Sequence, residues 1–238
     1  MTIDAVLSPA RSYGGNIKES VSRYRAVSDR SGRARTRSIP IRLVSTSHEL
    51  EAIYQFRYQV YVEEMRRHQF YADHSAKKIE DPLDRGATNF AALQDNEVVG
   101  TVRVNFPRTS NIEYYEAFMD MCSAGCFHPS ATSICTRLMV APRLRRTSLA
   151  MRLTQASYEF GLRNRIRYNF IDCDDHLIGF FIRLGYIVHR RAEHPEYGMG
   201  NVMRLDLLDR PRLVRQRSPF LAILDQSGAL REAAPHLN

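Results

Sequence analysis

No run of the 238-residue sequence approaches the roughly 18 to 20 consecutive apolar residues that a helix needs to span a bilayer. The first residues, MTIDAVLSPARSYGG, contain neither the basic start nor the apolar stretch of a signal peptide. We therefore expect a cytoplasmic protein without a transmembrane segment. With 44% hydrophobic residues, the chain has enough apolar side chains to form the core of one ordinary domain.

Cysteine is also scarce, with four residues at positions 122, 126, 135 and 173. They form no CxxC pair and are too few for the disulfide scaffold of a small secreted protein, so we predict reduced thiols. Cys122, Cys126 and His128 supply one half of a zinc-binding motif, but the other half is missing. We therefore predict no metal site.

Positive charge is plentiful and unevenly distributed. The net charge is +8, and residues 1–38 contain eight Lys or Arg against three acids, with no sustained apolar period. This composition predicts a disordered basic tail, which is either simply solvated or attracted to an acidic protein, a nucleic acid or an anionic membrane surface. A second basic stretch, DRPRLVRQR, predicts the end of a domain spanning 39–208 and the start of an extension, 209–238, with one short helix.

Between these basic stretches, strand and helix patterns alternate. Three helices are predicted: one capped by Ser47, one that begins after Pro142, and one capped by Asp174 or Asp175. The predicted strands are 41–45, 89–93, 98–106, 133–140, 168–173, 186–190 and 201–207. This order favours an α/β protein with a mixed sheet.

Two motifs extend this interpretation. In LMVAPRLRRTSLAMRL a strand is followed by Val140, Pro142, Arg145, Ser148 and Ala150, and HLIGFFIRLGYIVHR ends a second helix in Leu-Gly-Tyr before a strand. Both are similar to signatures of the GCN5-related N-acetyltransferase (GNAT) family and occur in the same order. The resemblance covers about residues 40–208 and implies the GNAT fold, a mixed central sheet flanked by helices.

The first motif has the chemistry of an anion site. The N–H groups at a helix start attract phosphate, and Arg145 and Arg146 add to this field, unless the arginines only solvate the helix end. In the GNAT motif a glycine stands where this chain has Ser148, whose side chain restricts close approach to a pyrophosphate. This favours the single phosphate of an acidic acyl carrier protein as donor, with a coenzyme A thioester as the alternative.

A narrower resemblance lies upstream. FRYQVYVEEM contains Arg57 and Tyr61, EDPLDRG contains Asp81 and Asp84, and Arg103 follows on a strand. With Arg137 on a later strand, this order resembles the acyl-homoserine lactone synthases and the related long-chain N-acyl amino acid synthases, including those that make N-acyl tyrosine. The lactone synthases have a Glu where this chain has Ile134, and a Trp after the first helix, whereas this sequence contains no Trp.

The resemblance implies an N-acyltransferase that moves a long-chain acyl group from an acyl carrier protein to the α-amine of an amino acid, tyrosine favoured, without a bound cofactor. The residues expected to be catalytic are Glu64, Asp81 and Arg137, with Glu80 as a further candidate base. Those expected to bind substrate are Arg57, Tyr61, Asp84, Arg103 and Cys135. Those expected to bind the acyl group or phosphopantetheine are Leu138, Met139, Val140, Arg145, Arg146, Ser148, Ala150, Phe180 and Phe181.

Several of these residues have a structural alternative. Asp81 and Asp84 could cap a turn around Pro82, and Arg103 and Arg137 could be their buried partners. Alternation along the strand predicts that Cys135, Arg137 and Met139 share one face. An apolar tunnel for the acyl chain is predicted from Phe118, Met119, Met121, Phe127, Phe180 and Phe181, which could equally be core.

Three other functions remain open from the sequence. An acyl-homoserine lactone synthase would share the arginines, and a short-chain GNAT acetyltransferase would use acetyl-CoA. A non-catalytic protein would bind nucleic acid through the basic tail, with steeply salt-dependent affinity. Because the two motifs favour an enzyme, we expect no nucleic-acid partner.

Overall fold

The computed structural model describes residues 39–228, so the predicted disordered tail, 1–38, and the last ten residues of the extension lie outside the described residues. The strands are β1 Ile41–Leu43, β2 Ala72–Asp73, β3 Lys78–Ile79, β4 Thr88–Gln94, β5 Glu97–Asn105, β6 Thr132–Val140, β7 Tyr168–Cys173, β8 Ile187–His194 and β9 Gly198–Asp206. The helices are α1 Ser47–Tyr58, α2 Tyr115–Phe118, α3 Leu149–Arg163, α4 Ile178–Leu184, α5 Arg210–Arg215 and α6 Leu221–Ser227. Among residues 39–228, no helix is long and apolar enough to cross a membrane.

Seven strands form one mixed sheet in the order β1-β4-β5-β6-β7-β9-β8. All neighbours are antiparallel except β6 and β7, which are parallel and are connected through α3. A parallel pair needs such a crossover, and Leu149 and Leu153 on α3 are fully buried against the sheet. The predicted α/β fold with a mixed sheet flanked by helices is confirmed.

Along β6, β7 and β9, the side chains on the two faces of the sheet pack into different clusters. Ile134, Phe170 and Val202 belong to one cluster, whereas their chain neighbours Cys135, Ile171 and Met203 belong to the other, as strand alternation requires. The side chains predicted to line one acyl tunnel are divided in the same way. Phe118, Met119 and Met121 lie in the first cluster and Phe181 in the second, so the sheet separates them and the prediction of a single tunnel from these residues is wrong.

The N-cap of helix α1 lies one residue earlier than the sequence suggested. Thr46, rather than Ser47, is the N-cap: its hydroxyl accepts from the backbone N–H of Glu49, and the Glu49 carboxylate accepts from the backbone N–H of Thr46. This reciprocal capping box satisfies two N–H groups at the helix start. Helix α1 then continues as a π-helix over Gln59–Glu64, which extends it toward the end of β6.

Strand β6 is irregular in two places. It pairs with β7 only at Thr132–Ile134, and beyond Ile134 the two strands separate. Arg137 has a φ of 54°, and the pairing with β5 changes register at this point. This β-bulge directs Thr136 and Arg137 to the same side of the sheet.

Because of the bulge, Cys135 and Arg137 lie on opposite faces of the sheet. Cys135 lies on the α3 side of the sheet, where the Asn169 side-chain amide is 3.2 Å from its sulfur. Arg137 contacts Asp81 on the other side. The prediction that these two residues share one strand face is wrong, because the left-handed residue interrupts the alternation on which it was based.

The packed structure continues past the predicted domain end at residue 208. The Phe220 ring stacks on Tyr158 of α3 with 4.2 Å between centroids, and Leu213 and Leu224 are buried in the same core. Helix α6 matches the short helix predicted in the extension. Residues 209–228 therefore complete the main core, and the boundary at 208 does not separate them from it.

Candidate active site

The segment Asp81–Asp84 brings two carboxylates together. Pro82 starts a 3₁₀ turn, the Asp81 carboxylate accepts from the backbone N–H of Leu83 at 3.1 Å, and the Asp84 carboxylate accepts from the backbone N–H of Asp81 at 2.9 Å. The two aspartates thus form a capping box, in which each carboxylate accepts a backbone N–H of the turn. Both side chains keep oxygen atoms free to bind cations.

Three arginines from three different elements bind these oxygens. Arg57, in the last turn of α1, donates from Nη1 to both Asp84 oxygens at 2.8 and 3.0 Å. Arg103 of β5 donates from Nη1 to Asp81 at 2.5 Å and to Asp84 at 3.0 Å. Arg137 of β6 donates from Nη2 to Asp81 at 2.6 Å. We call these five side chains the arginine–aspartate network.

Other side chains hold the arginines in place. Asn89 accepts from Arg57, and Thr136 accepts from Nε of Arg103 at 3.0 Å. The Arg57 guanidinium lies over the Tyr54 ring, and that of Arg137 lies over the Tyr61 ring, each 5.2 Å from the ring centroid. These contacts orient the planar guanidinium groups as well as neutralise them.

The network is almost completely buried, and each of its side chains is at most 5% exposed. Burial alone would raise the pKa of the Asp81 carboxyl, but Arg103 and Arg137 outweigh it and hold that pKa well below its ordinary value. The pKa of Asp84 is lowered for the same reason by Arg57 and Arg103. Such a carboxylate stays ionised and binds protons weakly. The geometry therefore argues against Asp81 as the catalytic base expected from the sequence, and favours a role in positioning Arg103 and Arg137.

Glu64 and Arg145, which the sequence assigned to different tasks, contact each other. The Arg145 guanidinium donates to both Glu64 oxygens at 2.5 and 2.8 Å, and its Nε donates to the carbonyl of Val140 at 3.2 Å. This bidentate pair ties the end of the π-helix to the loop before α3. Arg145 therefore has a partner within the protein. Arg143 and Arg146 in the same loop are exposed, and the Arg143 guanidinium lies 3.9 Å from the Glu97 carboxylate.

The start of α3 lies next to this pair. Ser148 is the N-cap residue, but its side chain makes no capping hydrogen bond. The Leu149 N–H donates to the Thr147 hydroxyl at 3.3 Å, whereas the other N–H groups of a first helical turn have no partner within the helix and can receive an anion. A groove of about 430 Å³ lies between α1 with its π-helical continuation, the start of β5 and residues 141–143, which follow β6. Its lining includes Gln55, Gln59, Glu64, Asn96, Ala141 and Arg143.

Comparison with known proteins agrees with this geometry. The family model of the N-acyl amino acid synthase FeeM matches residues 52–204, which is well over half of the chain. The chain belongs to this family. The protein is accordingly an N-acyltransferase, and the matched region contains every member of the arginine–aspartate network.

Several solved structures share the fold of this chain at low sequence identity. The CoA-dependent acyl-homoserine lactone synthase MesI is 18% identical with a TM-score of 0.58, covering 83% of this chain and 98% of its own. FeeM, an N-acyl amino acid synthase from uncultured soil microbes, is 15% identical with a TM-score of 0.58, covering 75% and 96%. ElaA from Escherichia coli is 16% identical with a TM-score of 0.51, covering 71% and 99%. No curated protein matches the sequence.

The synthase has a second polar cluster that sequence reasoning missed. Gln69 accepts from Nη1 of Arg137 at 3.2 Å and from the Tyr197 hydroxyl at 2.9 Å, so it connects the network to the loop between β8 and β9. Tyr197 stacks on His194, whose Nε2 lies 3.0 Å from the Tyr114 hydroxyl. Gln69 and Tyr197 are 128 residues apart in the sequence, and no local pattern connects them.

The hydrogen bonds of His194 determine its protonation state. Its Nδ1 accepts from the backbone N–H of Glu196 at 3.1 Å, so the ring proton is on Nε2, which donates to Tyr114. A second ring proton would point at that backbone N–H. Burial also lowers the pKa of His194, to about 3. In the synthase, His194 is therefore a neutral side chain that orients Tyr114.

The remaining predicted residues do not join the network. Burial raises the pKa of Cys135 to about 11, and its thiol faces α3, away from Arg137. Phe181 packs edge-on against Tyr186 within the core, and Phe180 packs at the margin of that core. Leu138, Met139, Val140 and Ala150 are buried where β6 and α3 meet. The structure thus brings together Arg57, Tyr61, Asp81, Asp84, Arg103 and Arg137, but not Cys135.

Proposed function

We propose that the synthase transfers a long-chain acyl group from an acyl carrier protein thioester to the α-amine of an amino acid, with tyrosine as the favoured acceptor. Family membership supports acyl transfer to an amino acid, and the contacts around Arg137 support the acceptor class. The carrier-protein donor and the preference for tyrosine go further than family membership and depend on other features of this chain.

The observation that carries the acceptor proposal is an excess of hydrogen-bond donors. Within the described part of the chain, Nε of Arg137 and Nη2 of Arg103 are buried without a hydrogen-bond partner. Leaving such a donor unpaired costs about 1 to 3 kcal/mol, so an acceptor oxygen placed there is stabilising. The network also has three positive groups and two negative ones. The carboxylate of an amino acid supplies both the oxygens and the missing negative charge.

The separation of β6 from β7 supports a binding position for the donor thioester next to the second half of β6. Past Ile134 the β6 backbone has no partner strand on its β7 side within residues 39–228. Backbone N–H groups near Met139 and Val140 can then hold the oxygen on which negative charge develops when the amine attacks the thioester carbonyl. The amine forms the new C–N bond directly, the carrier thiolate leaves, and no covalent enzyme intermediate is needed.

The proton lost by the amine needs only a modest acceptor, because an α-amine has a pKa of about 8 in solution. Asp81 is unsuited to this role, and both Glu64 oxygens are engaged by Arg145. We propose that water accepts the proton, assisted by Glu64 or by the exposed Glu80.

The loop before α3 supports a carrier protein as donor. Arg143 and Arg146 are exposed next to the helix start, where they can face an acidic carrier, and Ser148 meets a single phosphate more easily than a pyrophosphate. Because the name of MesI describes a CoA-dependent enzyme, coenzyme A is the competing donor. Tyrosine is favoured because the motifs resemble N-acyl tyrosine synthases, and Tyr114 and Tyr197 offer aromatic faces near the network.

The test is a reaction of the purified protein with long-chain acyl carrier protein or acyl-CoA and a panel of amino acids, followed by mass spectrometry. We expect N-acyl tyrosine to form fastest from the carrier protein. Absence of any N-acyl amino acid from either donor would refute acyl transfer to amino acids, and faster turnover with acyl-CoA would refute the carrier protein as preferred donor.

A matched pair of variants tests the docking surface. Arg146→Glu should raise KM for the acyl carrier protein several-fold, more strongly at low salt, and should leave KM for tyrosine unchanged. Arg163→Glu makes the same charge change at the other end of α3 and should have no such effect. Equal effects of the two substitutions would show that the loop before α3 does not dock the carrier.

A further inference from the structure

The segment between α2 and β6 carries three potential metal ligands at equal spacing. Glu116, Cys122 and His128 follow one another at intervals of six residues. One ligand atom from each lies within 4.8 Å of the other two. Carboxylate, thiolate and imidazole are the three side-chain ligands of protein-bound zinc.

The distances within this cluster suit a tetrahedral ion. Nε2 of His128 is 3.0 Å from the Glu116 carboxylate oxygen, and Sγ of Cys122 is 3.9 Å from that same oxygen. Zinc bonds of about 2.0 to 2.3 Å at tetrahedral angles place neighbouring ligand atoms about 3.3 to 3.7 Å apart. The two distances from the Glu116 oxygen lie within a few tenths of an ångström of this spacing, and Sγ of Cys122 and Nε2 of His128 are within 4.8 Å of one another. Glu116 and Cys122 are exposed, so their side chains can move to complete the geometry.

The ring of His128 is already oriented for a cation. Its Nδ1 is 2.9 Å from the Thr132 hydroxyl oxygen, and that hydroxyl donates to the carbonyl of Pro129 at 3.5 Å. With Nδ1 facing the Thr132 hydroxyl, Nε2 faces the Glu116 carboxylate oxygen at 3.0 Å, so these two atoms are placed to share a bound cation. A histidine fixed through its other nitrogen is the usual arrangement around bound metal.

The backbone between Glu116 and His128 is bent at two residues and anchored in the core. The chain bends at Asp120 and at Gly125, which have φ values of 51° and 59°, so that the segment returns toward the start of β6. Met119 and Met121 anchor it by packing in the core against the sheet. The His128 side chain is only 7% exposed, whereas Glu116 and Cys122 lie at the surface, where an ion can enter.

We propose that Glu116, Cys122 and His128 bind a zinc ion that fastens the α2–β6 segment, with water as the fourth ligand. This departs from the expectation of no metal site, and it replaces Cys126 by Glu116 in the ligand set considered from the sequence. The start of β6 is five residues from Arg137, roughly 16 Å along a strand. The ion is therefore structural and takes no part in acyl transfer, so the proposal is independent of the proposed function.

Cobalt is a direct probe, because Co²⁺ bound to a thiolate in a tetrahedral site gives charge-transfer and visible absorption bands that Zn²⁺ abolishes on displacement. We expect these bands with one Co²⁺ per chain, together with a rise in Tm when Zn²⁺ is added to metal-free protein. Cys122→Ser should remove the charge-transfer band. Cys126→Ser, which changes another exposed cysteine of the same segment, should retain it.

Two more variants test the remaining ligands. Glu116→Gln changes an exposed side chain and should weaken Co²⁺ binding while leaving the circular dichroism spectrum unchanged. Thr132→Val removes the orienting hydroxyl with little change in shape and should weaken binding by about 10- to 100-fold. Absence of bands in the wild-type protein, or bands lost in Cys126→Ser but kept in Cys122→Ser, would overturn the site and leave an ordinary His128–Glu116 ion pair.

Discussion

Asp84→Asn is the most direct test of the arginine–aspartate network. The asparagine oxygen can still accept the backbone N–H of Asp81, so the 3₁₀ turn keeps its cap and only the charge is removed. Arg57 then loses its one ion-pair partner in the network, and the three arginines share the single negative charge of Asp81. Breaking a buried ion pair on one side costs about 3 to 5 kcal/mol of unfolding free energy.

This loss is large enough to measure by thermal unfolding. One kcal/mol corresponds to about 2 to 4 °C in Tm for a chain of this size, so Asp84→Asn should lower Tm by about 6 to 20 °C. Asp225→Asn is the matched control: Asp225 also accepts two hydrogen bonds from one arginine, Arg210, but at the surface. Because exposed ion pairs are screened by water, this control should hardly change Tm.

The pH dependence separates charge from packing. The pKa of Asp84 is lower in the folded protein than in the unfolded chain, so its charge stabilises the fold above about pH 4, and this contribution is lost as the pH falls through the folded pKa. The stability difference between the wild type and Asp84→Asn should therefore shrink below about pH 4. An Asp84→Asn variant with the Tm of Asp225→Asn would refute the electrostatic reasoning.

Four further predictions concern single positions. The pKa of His194 is lowered to about 3 in the folded protein, whereas an unfolded histidine has a pKa of about 6.5. As the pH falls below about 6.5, the unfolded chain therefore binds a proton that the folded protein does not, and the fold loses stability. His194→Gln should flatten the decrease in Tm between about pH 7 and 5. Cys135→Ser should keep kcat within a few-fold, and iodoacetamide should alkylate Cys122 but not Cys135 in the native protein, as mass spectrometry can show. Gly100→Ala should cost about 1 to 3 kcal/mol in urea unfolding, because the new Cβ would lie 3.0 to 3.1 Å from a leucine of α3 and a carbonyl of β6. Gly179→Ala, an exposed helical site with nothing within 4 Å, should instead gain up to about 1 kcal/mol.

The sequence predicted the order of strands and helices because each element has a local signal. Leu149 and Leu153, for example, recur at helical spacing and are both buried on α3. Residues of the network could also be predicted, because a charged residue on a buried strand, such as Arg103, needs a carboxylate partner. Local patterns therefore indicated which residues belong to the core or to the network, and less often which side chains contact each other.

Other features depend on contacts between distant parts of the chain. The bulge at Arg137 reverses strand alternation, and nothing in TSICTRLMV marks it, since an arginine with positive φ is uncommon. Glu64 and Arg145 are 81 residues apart in the sequence, and their ion pair could not be predicted from local patterns. It gives Arg145 a partner within the protein, whereas the local sequence suggested that this arginine binds phosphate. The stacking of Phe220 on Tyr158 likewise brings the C-terminal helices into the main core, although the basic composition around them suggested a boundary.

Asp81 and Asp84 close a turn with the same carboxylates that neutralise three arginines. These two tasks restrict substitution in different ways. Asparagine can cap the turn but carries no charge, whereas glutamate carries the charge on a longer arm that does not fit the same short turn. Each requirement alone would leave several amino acids acceptable, and together they leave aspartate. We therefore expect natural variants of this chain to change many surface arginines before they change either of these two positions.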